Sequence, residues 1–217
     1  MYTKTILAFG DSLTWGHHPE HGRRHPYDDL WPSVLDAGLG VQGRVISEGL
    51  GGRTTAFDDD TAPTNRNGVK ILPTLLGSHD PLDLVIIMLG TNDLKPFICG
   101  DVLGATAGMR RLVDIVRGYS YSSGLAPAVL IMSPPHCCKT TKTGGTLSSA
   151  GCIAESQKLA TAYRSLAIEK NCFFFDAASV AVASPVDGVH LDAANTRAIG
   201  TALIPVVEEI LRGGPHD

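Results

Sequence analysis

Long apolar runs are missing from this chain. The longest, Leu84 to Leu89, is six residues, about a third of the ~18 that a membrane-spanning helix needs. No membrane partner is therefore expected. An excess of positive charge is missing too: 18 Lys and Arg stand against 22 Asp and Glu, a formal net charge of −4. That excludes the basic footprint of a nucleic-acid binder. The five cysteines contain no Cys-x-x-Cys pair, which removes the usual thiol–disulfide and zinc motifs. Free thiols and a cytoplasmic location are the expectation. Met1-Tyr2-Thr3-Lys4 runs straight into a strand-like segment, so no signal peptide is expected. Linkers, internal repeats and charge blocks are also lacking, so residues 1–217 are expected to form one domain.

Short apolar segments, by contrast, are plentiful. Lys4 to Phe9, Arg44 to Ser47, Asp83 to Leu89, Ala128 to Ser133 and Cys172 to Asp176 are rich in Val, Ile, Leu and Phe without strict alternation. Strands buried on both faces have this composition. Helical spacing occupies Leu30 to Ala37, Val69 to Ser78, Asp101 to Tyr119, Ala150 to Lys170 and Ala193 to Leu211. In the last of these, Ile199, Leu203, Val206, Val207 and Ile210 form one core-facing stripe. Alternating strands and helices predict an α/β fold with a parallel sheet covered on both faces.

In such folds ligands bind outside the carboxyl ends of the strands. The polar motifs fall there. Gly10-Asp11-Ser12-Leu13 follows the first strand, Gly51-Gly52 the second and Gly90-Thr91-Asn92-Asp93 the third, while Asp187-Gly188-Val189-His190 lies after the fifth. A serine hydroxyl becomes a nucleophile when a base takes its proton, and histidine is suited to that near neutrality. His190 is the candidate base for Ser12, and Asp187, three residues upstream, can fix its tautomer. The oxyanion formed by attack on an ester needs donors fixed in advance. The amides of Ser12 and Gly52 and the side chain of Asn92 are the candidates. Leu13, Thr91, Lys95 and Val189 flank these residues and are candidate walls of a substrate pocket. Each motif alone also suits a helix cap or a turn; their convergence on one edge favours catalysis.

The segments Phe9-Gly10-Asp11-Ser12-Leu13-Thr14-Trp15-Gly16, Gly49-Leu50-Gly51-Gly52-Arg53-Thr54-Thr55, Gly90-Thr91-Asn92-Asp93 and Asp187-Gly188-Val189-His190 resemble the four blocks of the SGNH, or GDSL, hydrolases. The resemblance covers nearly the whole chain. It implies a flavodoxin-like three-layer α/β/α sandwich around a five-stranded parallel sheet. It also implies a Ser12–His190–Asp187 triad with Gly52 and Asn92 in the oxyanion hole. The Arg53-Thr54-Thr55 phrase and Pro81 to Asp93 look more like the arylesterase and acyltransferase (perhydrolase) subgroup. That subgroup hydrolyses short acyl esters and passes acyl groups to alcohols or peroxide without a cofactor. Its rings of dimers imply a homo-oligomer, a dimer or larger. Carbohydrate acetylesterase and lysophospholipase or thioesterase activities are the alternatives within the class, and a flavodoxin-like binding module the alternative outside it. Where the subgroup often carries a bulky aromatic near the acyl pocket, this chain reads His17-His18-Pro19-Glu20-His21, a polar rim that favours water as acyl acceptor.

Several other patterns carry less. Gly38-Leu39-Gly40-Val41-Gln42-Gly43 has the dinucleotide-binding spacing but follows a helix and precedes a strand, the reverse of the required context. The cluster His17, His18, Glu20, His21 and His25 holds metal-ligand types, yet Pro19, Gly22 and Pro26 break it into irregular loop. No metal is expected there. Asp58-Asp59-Asp60 lacks calcium-loop spacing. His136-Cys137-Cys138 places neighbours along a loop, where side chains seldom face one another. The stretch Pro134 to Ser149 overhangs the candidate site and reads equally as a lid, a subunit contact or a disordered loop.

Overall fold

A computed structural model describes residues 3–141 and 145–213 of the chain. Five strands, β1 (Lys4–Gly10), β2 (Gly43–Gly49), β3 (Leu84–Met88), β4 (Ala128–Ser133) and β5 (Phe173–Asp176), pair in parallel in the order β2-β1-β3-β4-β5. Between and after them run α1 (Ser12–Trp15), α2 (Trp31–Leu39), α3 (Gly68–His79), α4 (Val102–Gly118), α5 (Ala150–Ser156), α6 (Leu159–Glu169) and α7 (Ala193–Leu211). This is the flavodoxin-like order.

Each strand divides its side chains between two cores, because successive Cβ atoms point to opposite faces. From β1, Leu7 and Phe9 pack with Leu72 and Leu76 of α3, Met109 and Leu112 of α4, and Tyr163 and Leu166 of α6. Ile6 and Ala8 point the other way, onto Leu35 and Leu39 of α2 and Ile199, Leu203 and Val207 of α7. With both faces covered, β3 is buried from end to end, which explains its uninterrupted apolar sequence.

Strand β2 extends beyond the expected Arg44–Ser47 to Gly43–Gly49, because its backbone pairs with the whole of β1. The expected helix from Ala150 to Lys170 is two helices. At the break, the buried Ser156 hydroxyl donates to the Ile153 carbonyl at 2.7 Å and accepts from the Cys137 amide at 3.0 Å. A serine bonding to its own preceding turn bends a helix. Among the described residues no helix is long and apolar enough to cross a membrane.

The order of the strands creates a crevice. Chain connections leave β1 toward β2 on one side and reach β3 on the other, so the loops after β1 and β3 diverge between neighbouring strands. Ligand sites form at such switch points.

Candidate active site

Strand β1 delivers the serine through a tight turn into a one-turn helix. Asp11 caps that helix, its Oδ1 accepting from the Leu13 amide at 2.9 Å. Gly10 must lack a side chain here: a Cβ would stand 2.0 Å from Thr14 Oγ1 and 2.9 Å from the Met88 carbonyl. Ser12 thus opens the helix, where first-turn amides have no intrahelical acceptor. Its hydroxyl faces His190, with Oγ 2.9 Å from Nε2.

The opposite nitrogen of that ring, Nδ1, lies 2.7 Å from Asp187 Oδ2. Asp187 Oδ1 accepts from the amides of Val189 and His190 at 3.0 and 2.9 Å, so the aspartate builds the turn that presents its own histidine. Burial raises the Asp187 pKa, but the ring and the two amides outweigh it and hold the carboxyl at about 2. Further bonds brace the loop: Cys138 N–H to Gly188 O at 2.8 Å, Thr141 N–H to Pro185 O at 3.0 Å, and Ser184 N–H to His190 O at 2.8 Å. The first two come from the Pro134–Ser149 stretch, whose residues Lys142 and Gly144 lie outside the described residues. Leu147 of the same stretch lines the cleft beside Ser12.

Asn92 enters from the end of β3. Its Nδ2 donates to Asp11 Oδ2 at 3.2 Å and to the Arg53 carbonyl at 3.1 Å. Gly52 comes from the loop after β2, with a φ of +81° that favours glycine. Among the described residues its amide meets no backbone carbonyl. Ser12, Gly52, Asn92 and His190 all line one cleft of about 360 Å³. Beneath it lie buried charges. Asp93 accepts from the Thr55 amide at 3.1 Å and from the Thr55 hydroxyl. Burial pushes Asp11 and Asp93 each up to about 6. Arg53 donates to the Gly10 carbonyl at 2.8 Å and to the Glu48 carbonyl, tying the ends of β1 and β2 together.

Of the candidate wall residues, Lys95 and Val189 line the cleft. Leu13 is buried in the core on the α2 and α7 side, and Thr91 is buried at 3 % exposure. Sequence reasoning did not single out Arg66 as a cleft residue, and no motif marks it. His17 also lines the cleft, its ring 3.9 Å from that of His190. The rest of the histidine cluster turns away: His18 packs on His21 and His25, and His25 Nε2 lies 2.9 Å from the Leu191 carbonyl. Among the described residues the grouping with metal-ligand chemistry is His17, Asp187 and His190, whose ligand atoms lie within 4.8 Å of one another. Asp187 and His190 there already bond each other and Ser12.

A doubly covered parallel sheet in this order, with a serine–histidine–aspartate chain at its switch point, defines the SGNH class of hydrolase fold. Residues 8–198 match the GDSL-like lipase/acylhydrolase family, and the chain belongs to that family. A carbohydrate acetylesterase family member from Sinorhizobium meliloti is 49 % identical, with a TM-score of 0.93 over 97 % of this chain and 100 % of that one. The M. smegmatis aryl esterase is 42 % identical, with a TM-score of 0.90 over 95 % of this chain and 99 % of that one. Est24, a carbohydrate acetylesterase from Sinorhizobium meliloti, is 35 % identical, with a TM-score of 0.90 over 96 % and 100 %. No curated protein sequence matches the chain. The family and these neighbours make it a carboxylic ester hydrolase.

Proposed function

We propose that the chain hydrolyses short-chain acyl esters of aryl and alkyl alcohols through an acyl-enzyme on Ser12. The carrying observation is the unbroken chain from Ser12 Oγ through His190 to Asp187, at 2.9 and 2.7 Å, opening into a cleft of modest volume. Ser12 Oγ attacks the ester carbon as its proton passes to His190 Nε2. The amides of Ser12 and Gly52 hold the oxyanion, joined by the side chain of Asn92 as one Nδ2 hydrogen turns to it from Asp11 or the Arg53 carbonyl. Its collapse breaks the bond to the alcohol, which leaves with the proton from His190. Water, activated by the same ring, then releases the acid. An alcohol or hydrogen peroxide in place of water carries the acyl group away as a new ester or peracid, and the polar His17 beside the serine favours water. Asp187, held ionised, keeps Nδ1 protonated and stabilises the imidazolium.

The test is p-nitrophenyl acetate turnover by wild type and Ser12→Ala, with and without ethanol, alongside the octanoyl ester. Turnover should fall by about 10⁴–10⁶ in the variant. The acetyl group should appear on Ser12 by mass, ethyl acetate should form with ethanol present, and the octanoyl ester should react more slowly. Turnover in Ser12→Ala close to wild type overturns the mechanism.

A further inference from the structure

Two cations face the cleft that holds Ser12. Lys95 follows the turn carrying Asn92, its amide bonded to the Asn92 carbonyl at 3.3 Å. Arg66 arrives from the other side. Its carbonyl accepts from the Thr54 amide at 3.0 Å, which draws it against the loop of Gly52. The guanidinium lies across Gly52 so closely that a Cβ there would stand 2.7 Å from Arg66 Cζ. Arg66 therefore borders a candidate oxyanion donor directly.

Arg66 is ion-paired but keeps a spare donor: its Nη1 pairs with Asp59 at 2.8 Å, while its Nε is buried with no hydrogen-bond partner among the described residues. Lys95 makes no direct ion pair among the described residues; its ammonium lies 6.0 Å from the Phe97 ring centroid. Burial, and then the Arg66 charge, lower its pKa against the opposing pull of Asp59, Asp11 and Asp93. Holding a half-buried ammonium beside a guanidinium costs stability. The arrangement is the more pointed because the protein carries a net charge of −4. A ligand that brings an anion into the cleft relieves that cost.

We propose that the preferred substrates are esters carrying a carboxylate or other hard anion, which Lys95 and Arg66 bind beside the reacting carbonyl. This rests on the esterase reading above and specifies its substrate class. The anion sits on the acyl side or on the alcohol side of the ester, and matched pairs of substrates separate the two. On the acyl side, p-nitrophenyl hemiglutarate is compared with p-nitrophenyl pentanoate. On the alcohol side, 4-acetoxybenzoate is compared with 4-acetoxybenzamide. Each rate is normalised to hydrolysis by hydroxide.

In one pair the anionic ester should lead by at least about tenfold in kcat/KM, the gain expected of a charge-assisted contact. The lead should shrink as salt rises from about 10 mM to about 1 M, which shortens the screening length from ~30 Å to ~3 Å. Lys95→Met and Arg66→Met should each reduce it. Lys70→Met removes the same charge from a lysine paired with Asp58 away from the cleft, and should leave it intact. Ser12-dependent hydrolysis of all four esters with no anionic lead overturns this inference and leaves the esterase reading standing. Hydrolysis of none of the four overturns both. The wild-type ratio and its salt dependence need no variant to fold.

Discussion

The two halves of the site treat their carboxylates in opposite ways. The half carried by the sheet is almost closed to solvent, with Asp11, Asn92, Asp93 and Arg53 exposed by 4 % or less. Its bonds join residues distant in sequence, Asn92 to Asp11 and Asp93 to Thr55. There burial outweighs the donors, and Asp11 and Asp93 are pushed up to about 6. The half carried by the loop after β5 is only half-buried, and local bonds over residues 184–190 shape it. There the donors outweigh burial, and Asp187 is held at about 2. The same side-chain type becomes a stable anion beside His190 and a reluctant one beneath the cleft lined by Gly52 and Asn92. What decides is the balance between the water each has lost, nearly all of it for Asp11 and Asp93 and only part for Asp187, and the donors that replace that water.

The harshest way to break this contrast is to remove the loop anion. Asp187→Asn keeps the shape but presents an amide to His190 Nδ1, which selects the wrong tautomer. Turnover is expected to fall by roughly 10⁴ with an unchanged circular dichroism spectrum. A variant within tenfold of wild type would mean that Asp187 does not orient His190.

A second test exploits the opposite signs. An acid whose folded pKa is raised binds its proton more tightly in the fold. Its stabilising contribution is therefore present below the unfolded pKa of about 3.9 and lost as pH rises through about 6. For Asp93, at 0 % exposure, that loss is about 3 kcal/mol. Asp187 runs the other way: its contribution is present above about 3.9 and lost as pH falls toward about 2. In thermal melts from pH 3 to pH 8, Asp93→Asn should flatten the decline between roughly pH 4 and 6, and Asp187→Asn the decline below about pH 4. Parallel curves for wild type and Asp93→Asn would refute the raised pKa.

Much of this arrangement is legible in the sequence because the fold is simple where it matters. Parallel strands with buried faces announce themselves as apolar runs, and residues directly after a strand lie on one known edge. Ser12, Gly52 and Asn92 stand at such positions, while Asp187 and His190 lie farther along the connection after β5; the structure brings Ser12, Gly52, Asn92 and His190 to one crevice, with Asp187 bonded behind His190. Residues delivered by loop–loop pairing are not legible in this way. Arg66 reaches Gly52 because its carbonyl pairs with Thr54, a contact with no sequence period. Leu147 enters the cleft through a stretch whose composition reads equally as a lid, a subunit contact or a disordered loop. Proximity along the chain also misplaces side chains: Leu13 is adjacent to Ser12, but the helical turn aims it into the core. The break after Ser156 depends on the Cys137 amide, 19 residues away.

His17 belongs to the loop-borne half by contact although it follows β1, and it gives the smallest and most discriminating effect. An antiparallel bridge between His17 and Arg24 sets its direction, and its ring rests 3.9 Å from that of His190. Burial, and then the neighbouring His190, lower its pKa to about 4, so it is neutral near pH 7 and acts by shape and polarity. An aromatic pair contributes about 0.5–1.5 kcal/mol, so His17→Ala should lower kcat/KM by roughly two- to tenfold. His17→Trp keeps a ring against His190 and makes the rim apolar. With ethanol present, it should raise the ratio of ethyl ester to free acid while total turnover changes less than about tenfold. An unchanged product ratio would show that His17 supports the base without choosing the acceptor, and the polar rim would then have no part in favouring water.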